Sequence, residues 1–153
     1  MDKVSDHISY KEATRSNTAS RYGINNDPGQ TELERMKTIA KKVFEPLRRA
    51  VGGPIRINSF FRSKTLNKKL GGSKKSQHME GRAMDLDDTH GHMSNADMFN
   101  YIKNELSFDQ LIWEFGSSTN PDWVHVSYVS EEKNRNICLR AYRDNGVTKY
   151  EIY

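Results

Sequence analysis

Ser76-Gln-His78-Met-Glu-Gly81-Arg-Ala83-Met-Asp85 is followed further along the chain by Trp123-Val-His125-Val-Ser127. Together these stretches offer two imidazoles and one carboxylate, the donor types of a zinc site that keeps a fourth position open. The first stretch turns at Gly81, a residue free to take a positive φ, and then alternates as a strand over 83–87. That alternation puts Ala83, Asp85 and Asp87 on one face. In the second stretch the same two-residue period puts Trp123, His125 and Ser127 together. Neighbouring antiparallel strands lie about 4.8 Å apart, so Asp85 and His125 on adjacent strands can converge on one ion. Spacing alone leaves other readings open, because isolated histidines and aspartates are common and a plain turn also needs glycine.

Working outward, 31–50 predicts the strongest helix. Leu33, Met36, Ile39, Ala40, Val43, Phe44 and Leu47 recur at three- and four-residue intervals, with charges opposite. Pro46 is expected to kink or shorten its last turn. Before it, 1–30 reads as a lead-in segment holding one short helix, capped by Ser9 with Glu12 three residues on, and ending in the turn cluster Asn25-Asn-Asp-Pro-Gly29. After the helix, Gly52-Gly53-Pro54 is a stop and Ile55 to Phe60 a strand. A short helix follows over 64–70, closed by Gly71-Gly72. Ser94 caps a helix over 95–105, and strands follow at 109–114, 123–128, 137–142 and 147–153. Helices before and between hairpin-connected strands predict an α+β fold: one domain over 1–153, with an antiparallel sheet, helices packed on one side, and a core over 31–153.

Bulk properties narrow the function classes. Two Trp, seven Tyr and six Phe spread along the chain argue against disorder, although only 35% of residues are hydrophobic. No apolar run reaches the roughly 18 residues that span a bilayer. Met1 to His7 lacks the apolar core of a secretory signal, so synthesis in the cytoplasm without a signal peptide is expected. The single cysteine, Cys138, excludes an internal disulfide and reads as a small core residue. Net charge is +4, and Arg62, Lys64, Lys68, Lys69, Lys74 and Lys75 form an acid-free basic run. That run is either a solvated face or an attraction for an anionic partner.

The pattern Ser-x-His-x-x-Gly-x-Ala-x-Asp from Ser76 to Asp85, with Trp-Val-His-Val-Ser at 123–127, resembles the signature of the M15 zinc peptidases. That family includes D-alanyl-D-alanine carboxypeptidases and phage endolysin peptidases acting on peptidoglycan. Asn58-Ser-Phe-Phe-Arg62-Ser-x-x-Leu-Asn67 is similar to the family's Ser-Gly-Tyr-Arg-Ser…Leu-Asn segment, with Phe60-Phe61 replacing the usual Gly-Tyr. Leu70-Gly-Gly72 and Phe108-Asp-Gln-Leu-Ile112 also fall where the family has similar residues. The resemblance covers roughly Ile24 to Tyr128. It implies the M15, hedgehog-like zinc peptidase fold and one zinc ion held by His78, Asp85 and His125.

A zinc hydrolase needs a carboxylate to take a proton from the attacking water and pass it to the leaving amine. Glu114, at the end of a strand, is the favoured candidate; the resemblance places it where several relatives have a glutamate near the metal. Asp122 is the alternative base, since some relatives use an acid three residues before the last histidine. In a regular strand, however, that odd separation points it away from His125. Arg62 matches a functional arginine of the family and is expected to stabilise charge on the scissile carbonyl or bind a substrate carboxylate. Ser76 is expected to touch substrate or support His78, Trp123 to pack beside the site, and Asp87 to orient a ligand. His90 and His92 read as exposed loop histidines, and His7 carries no signal.

The function this implies is zinc-dependent hydrolysis of peptidoglycan stem peptides, by carboxypeptidase or endopeptidase action. The chain is expected to act as a monomer on the cell wall, after phage-mediated release or as a virion component. One alternative is a non-catalytic cell-wall or protein binding module that keeps the zinc fold. Another is nucleic-acid binding through the basic run and Phe60-Phe61; no nucleic-acid partner is expected.

Overall fold

The computed structural model describes residues 2–153. A two-stranded antiparallel ribbon, β1 (Lys3–Ser5) and β2 (Ile8–Ser9), leads into α1 (Tyr10–Thr14) and α2 (Asn17–Tyr22). Ser9 caps α1 by accepting from the Glu12 N–H at 3.0 Å. Val4, Ile8 and Ala13 are buried in the same cluster as the main core, so the expected lead-in packs as part of the domain.

The periodic stretch forms α3 (Gln30–Ile39) and α4 (Glu45–Val51), joined without a break by one π turn, Ala40–Phe44. The expected disturbance at Pro46 lies there rather than in the last turn. Proline has no N–H to donate and crowds the carbonyl four residues back, and the widened π turn just before it accommodates both. Gly52, at φ 76°, ends α4.

The main sheet runs β3 (Arg56–Ser59), β4 (Ala83–Asp87), β6 (Trp123–Ser127), β5 (Gln110–Glu114), β7 (Ile137–Asp144), β8 (Val147–Ile152). Every pairing is antiparallel except β5 with β7, which is parallel. The sheet is therefore mixed, against the expectation of a wholly antiparallel one. β5 and β6 form a hairpin and β4 covers the far side of β6, and the chain passes β5 to join its free edge in parallel.

Met84, Leu86, Leu111, Trp113, Val124 and Val126 face the helices and pack with Met36, Val43, Phe44 and Leu47. α6 (Asn95–Glu105), capped by Ser94, adds Met98, Phe99 and Ile102 to that cluster. Each such fully buried side chain contributes about 1.5–3 kcal/mol of transfer free energy. Cys138 is half-buried at the edge of this core. α5 (Lys64–Leu70) and a 3₁₀ turn (Gln77–Glu80) fill the β3–β4 connection. The opposite face of the sheet carries Asp85, His125 and Glu114 among the buried Ala83, Ile112 and Ala141.

Candidate metal centre

Strand register builds the site. Asp85 stands directly opposite His125, and Ile112 opposite His125 on the other side. Period-two alternation then puts Ser59, Asp85, His125, Trp123 and Glu114 on the face away from the helices. His78 reaches this face from the 3₁₀ turn. Gly81 ends that turn at φ 76°, and a Cβ there would collide with the Glu32 carbonyl oxygen of α3. Glycine is thus required both for the conformation and for the close approach.

His78, Asp85 and His125 bring one donor atom each within 4.8 Å of one another. Asp85 Oδ1 lies 2.9 Å from His125 Nδ1, and Asp85 Oδ2 lies 3.3 Å from His78 Nε2. His78 Nδ1 donates to the Phe60 carbonyl at 2.8 Å, which leaves the Nε2 lone pair aimed at the carboxylate. Two lone-pair atoms at that distance repel unless a proton or a cation lies between them. Bonds of 2.0–2.1 Å to a tetrahedral zinc put donor atoms roughly 3.3–3.5 Å apart. The donor types, their approximate spacing and the anchoring of His78 through Nδ1 therefore fit zinc. Burial pushes the Asp85 carboxyl up, but the charge of His78 and the hydrogen bonds of His125 and His78 outweigh it, holding the group well below the usual carboxylate range. For His125, burial acts downward, yet the Asp85 hydrogen bond and charge raise it overall.

Glu114 is buried at the end of β5, and its carboxyl is raised to about 7. Burial is the main cause; His125 opposes it, Asp85 adds to it and Arg143 opposes it. Asp122 lies outside β6, exposed, with its backbone N–H donating to the Glu114 carbonyl at 2.9 Å. Pro121 does not delay the strand beyond Trp123. Of the two candidate bases, only Glu114 shares the face of the metal group.

Arg62 differs from the five exposed lysines of its run. Its Nη2 lies 3.7 Å from Asp85 Oδ2, and its other nitrogens donate to Ser59 Oγ and Asn67 Oδ1 at 3.3 Å. A Cβ on Gly72 would collide with Asn67, so Gly72 makes room for this clamp. Arg62 and Asp85 line a cavity of about 350 Å³ with Arg15, Asn17, Phe61 and Trp123. Ser76 Oγ accepts the His78 N–H at 3.3 Å, a bond that shapes the turn carrying the ligand.

Asp87 accepts from Asn95 at the start of α6 rather than from a ligand. His90 and His92 are exposed and stacked, with centroids 6.4 Å apart, away from the donor set. Phe60 and Phe61 are buried and unavailable for stacking on bases. His7, without signal in the sequence, bonds the buried Glu45 at 2.6 Å.

Sequence reasoning also missed Asp109. It is buried, takes two bonds from the Arg135 guanidinium at 2.9 and 2.8 Å, and accepts from Gln77 beside His78 at 3.0 Å. A lone acid opening a strand gave no signal, because its partners come from distant segments.

No curated protein matches the chain. The family described as Peptidase M15 matches residues 6–127, a segment that holds His78, Asp85, His125, Arg62 and Glu114. With four-fifths of its length matched, the chain belongs to the peptidase M15 family.

Proposed function

We propose that the whole chain is one zinc peptidase domain that hydrolyses peptide bonds of the peptidoglycan stem. The observation that carries this reading is the convergence of His78, Asp85 and His125 on the sheet face that also presents Glu114. His78, Asp85 and His125 are the proposed ligands of one zinc ion. Zinc held there supplies Lewis acidity, polarising a carbonyl and lowering the pKa of a water to about 7.

Glu114 is the proposed general base. Its carboxylate, buried on the face of the donor set, can accept a proton from the attacking water and return it to the leaving amine. Arg62, fixed by Ser59 and Asn67, is proposed to donate to the carbonyl oxygen as negative charge grows there. Ser76, at the cap of the His78 turn, is the proposed substrate contact. The 350 Å³ cavity beside Arg62 supports a peptide-sized occupant.

The proposed place of action is the bacterial cell wall, reached by phage-mediated release or on a virion. That part of the reading is carried by the resemblance to endolysin peptidases. No helix among the described residues is long and apolar enough to cross a membrane.

Mass spectrometry of muropeptides and whole peptidoglycan, incubated with the protein with and without a zinc chelator, tests the function. Chelator-sensitive loss of a terminal D-alanine identifies a carboxypeptidase, and larger fragments identify an endopeptidase. Intact substrate after incubation with folded, zinc-loaded protein sinks the peptidase reading in favour of a binding module.

A further inference from the structure

The family match ends at Ser127, so the β7–β8 hairpin lies outside it. The register nevertheless places this hairpin on the site. Glu114 pairs with Ala141, and Ala141 with Tyr150. Period-two alternation adds Arg143 and its partner Thr148 to the same face.

Arg143 and Tyr150 are exposed beside the small, buried Ala141. The Arg143 guanidinium lies 4.0 Å above the centroid of the Phe115 ring, and that ring meets Trp123 edge-on at 5.5 Å. Among the described residues, no carboxylate lies within 4.0 Å of Arg143. Phe115 follows Glu114 directly and holds φ 56°, a left-handed conformation that costs a bulky residue roughly 1–2 kcal/mol. That turn sets the aromatic ring between Arg143 and Trp123.

Both hairpin side chains lie close enough to the site to be coupled to its charges. Arg143 opposes the upward shift of Glu114; Tyr150, exposed at its edge but partly covered, is itself raised, first by that partial burial and then by the charges of Glu114 and Asp85. The donor set is thus flanked on its β3 side by Arg62 and the cavity, and on its β7 side by an unpaired guanidinium on an aromatic ledge.

We propose that the β7–β8 hairpin forms a second substrate subsite, in which Arg143, laid on Phe115 and flanked by Tyr150, binds a carboxylate of the peptide. The proposal rests on the peptidase reading and extends it to substrate choice. A guanidinium seated 4.0 Å over a ring still has N–H groups free to make paired hydrogen bonds with a carboxylate. The terminal carboxylate of a stem peptide and an internal one share this chemistry.

The test uses the full chain carrying Glu114→Gln, loaded with zinc, so that binding is read without turnover. Calorimetry compares a stem peptide having free carboxylates with versions amidated at the terminal or at an internal carboxylate. One amidation is expected to weaken binding about tenfold and so to identify the group. Adding Arg143→Gln is expected to weaken the free acid equally and leave that amide unchanged, with Arg143→Lys recovering part of the loss. Equal affinity for acid and amides, continued discrimination by Arg143→Gln, or no binding of any stem peptide overturns the subsite. Arg143-dependent binding without cleavage by the unmutated protein leaves the subsite standing and sinks the peptidase reading instead.

Discussion

Asp85 and His125 face each other as a cross-strand pair on β4 and β6, with Asp85 Oδ1 2.9 Å from His125 Nδ1. The backbone ladder, and not a flexible loop, sets their separation. Only His78 comes from a turn, and the Phe60 carbonyl and Gly81 fix that turn. Two donors on rigid strands and a third on a braced turn make a candidate metal site that the protein itself largely organises.

Zinc at such a site stabilises the folded chain by mass action, about 2.7 kcal/mol at a hundredfold excess over Kd. For a domain of this size that corresponds to a rise of roughly 5–10 °C in Tm. Differential scanning fluorimetry with zinc, then with chelator, should show that rise and its reversal. Asp85→Asn and His78→Ala should abolish it. An unchanged Tm in the parent protein would remove the metal site.

Glu114→Gln keeps the size and loses the proton acceptor. Peptide cleavage is expected to fall about 10²–10⁴-fold, while zinc content stays at one per chain. Asp122→Asn, at an exposed position, is expected to fall less than threefold. The reverse ranking in a kcat comparison would transfer the base to Asp122.

The shared faces of Asp85 and His125 were legible in the sequence because strand alternation is strict, whereas grouping them with His78 as one donor set came from the resemblance to the M15 family. Once 83–87 and 123–127 are strands, Asp85 and His125 each have a defined face. Asp122 was disfavoured on the same ground, and it lies exposed outside the strand. The helix at 64–70 followed from its glycine stop and the one at 95–105 from its serine cap, both local signals. What escaped depends on contacts between distant segments. The parallel placement of β7 is set by which sheet edge remains free, and the Asp109–Arg135 pair joins residues 26 positions apart. The short β1–β2 ribbon is held by the buried Glu45, which accepts from Ser5 and His7; no periodicity announces it.

The metal-free protein should lose stability as pH rises through 7. Burial raises Glu114 from 4.5 to about 7 in the folded state. A raised value favours folding while the group is protonated, so its contribution is full below about pH 4.5, declines as pH rises from there and is lost once pH has passed through 7. His125 is also raised and acts in the same direction, whereas Asp85 is lowered and destabilises only in acid. Chemical denaturation between pH 4.5 and 8.5 should show the decline, with Glu114→Gln more stable than the parent at pH 8.5 by on the order of 2–3 kcal/mol. A pH-independent difference between the two proteins would contradict the assignment.

Asp109→Ala should act on stability and on metal together. It strips the Arg135 guanidinium and Gln77 of their buried acceptor, at a cost of roughly 2–3 kcal/mol. Gln77 adjoins His78, so zinc affinity should also fall, by about tenfold or more. Zinc titration against a competing chelator reads the second effect. A stability loss with unaltered affinity would confine Asp109 to packing.

Phe115→Gly separates strain from use. Glycine adopts φ 56° freely, recovering roughly 1–2 kcal/mol, but it adds unfolded-chain entropy and gives up the ring's contacts with Trp123 and Arg143. These changes oppose one another, and Tm is expected to move by no more than about 3 °C. Binding of the carboxylate-bearing stem peptide should nonetheless fall about as far as in Arg143→Gln, because the guanidinium loses its platform. Phe115→Tyr, which keeps the ring and the strain, should bind as the parent does. If Phe115→Gly bound the peptide fully, the ring would be dispensable, and the strain at this position would serve only the turn into Gly116.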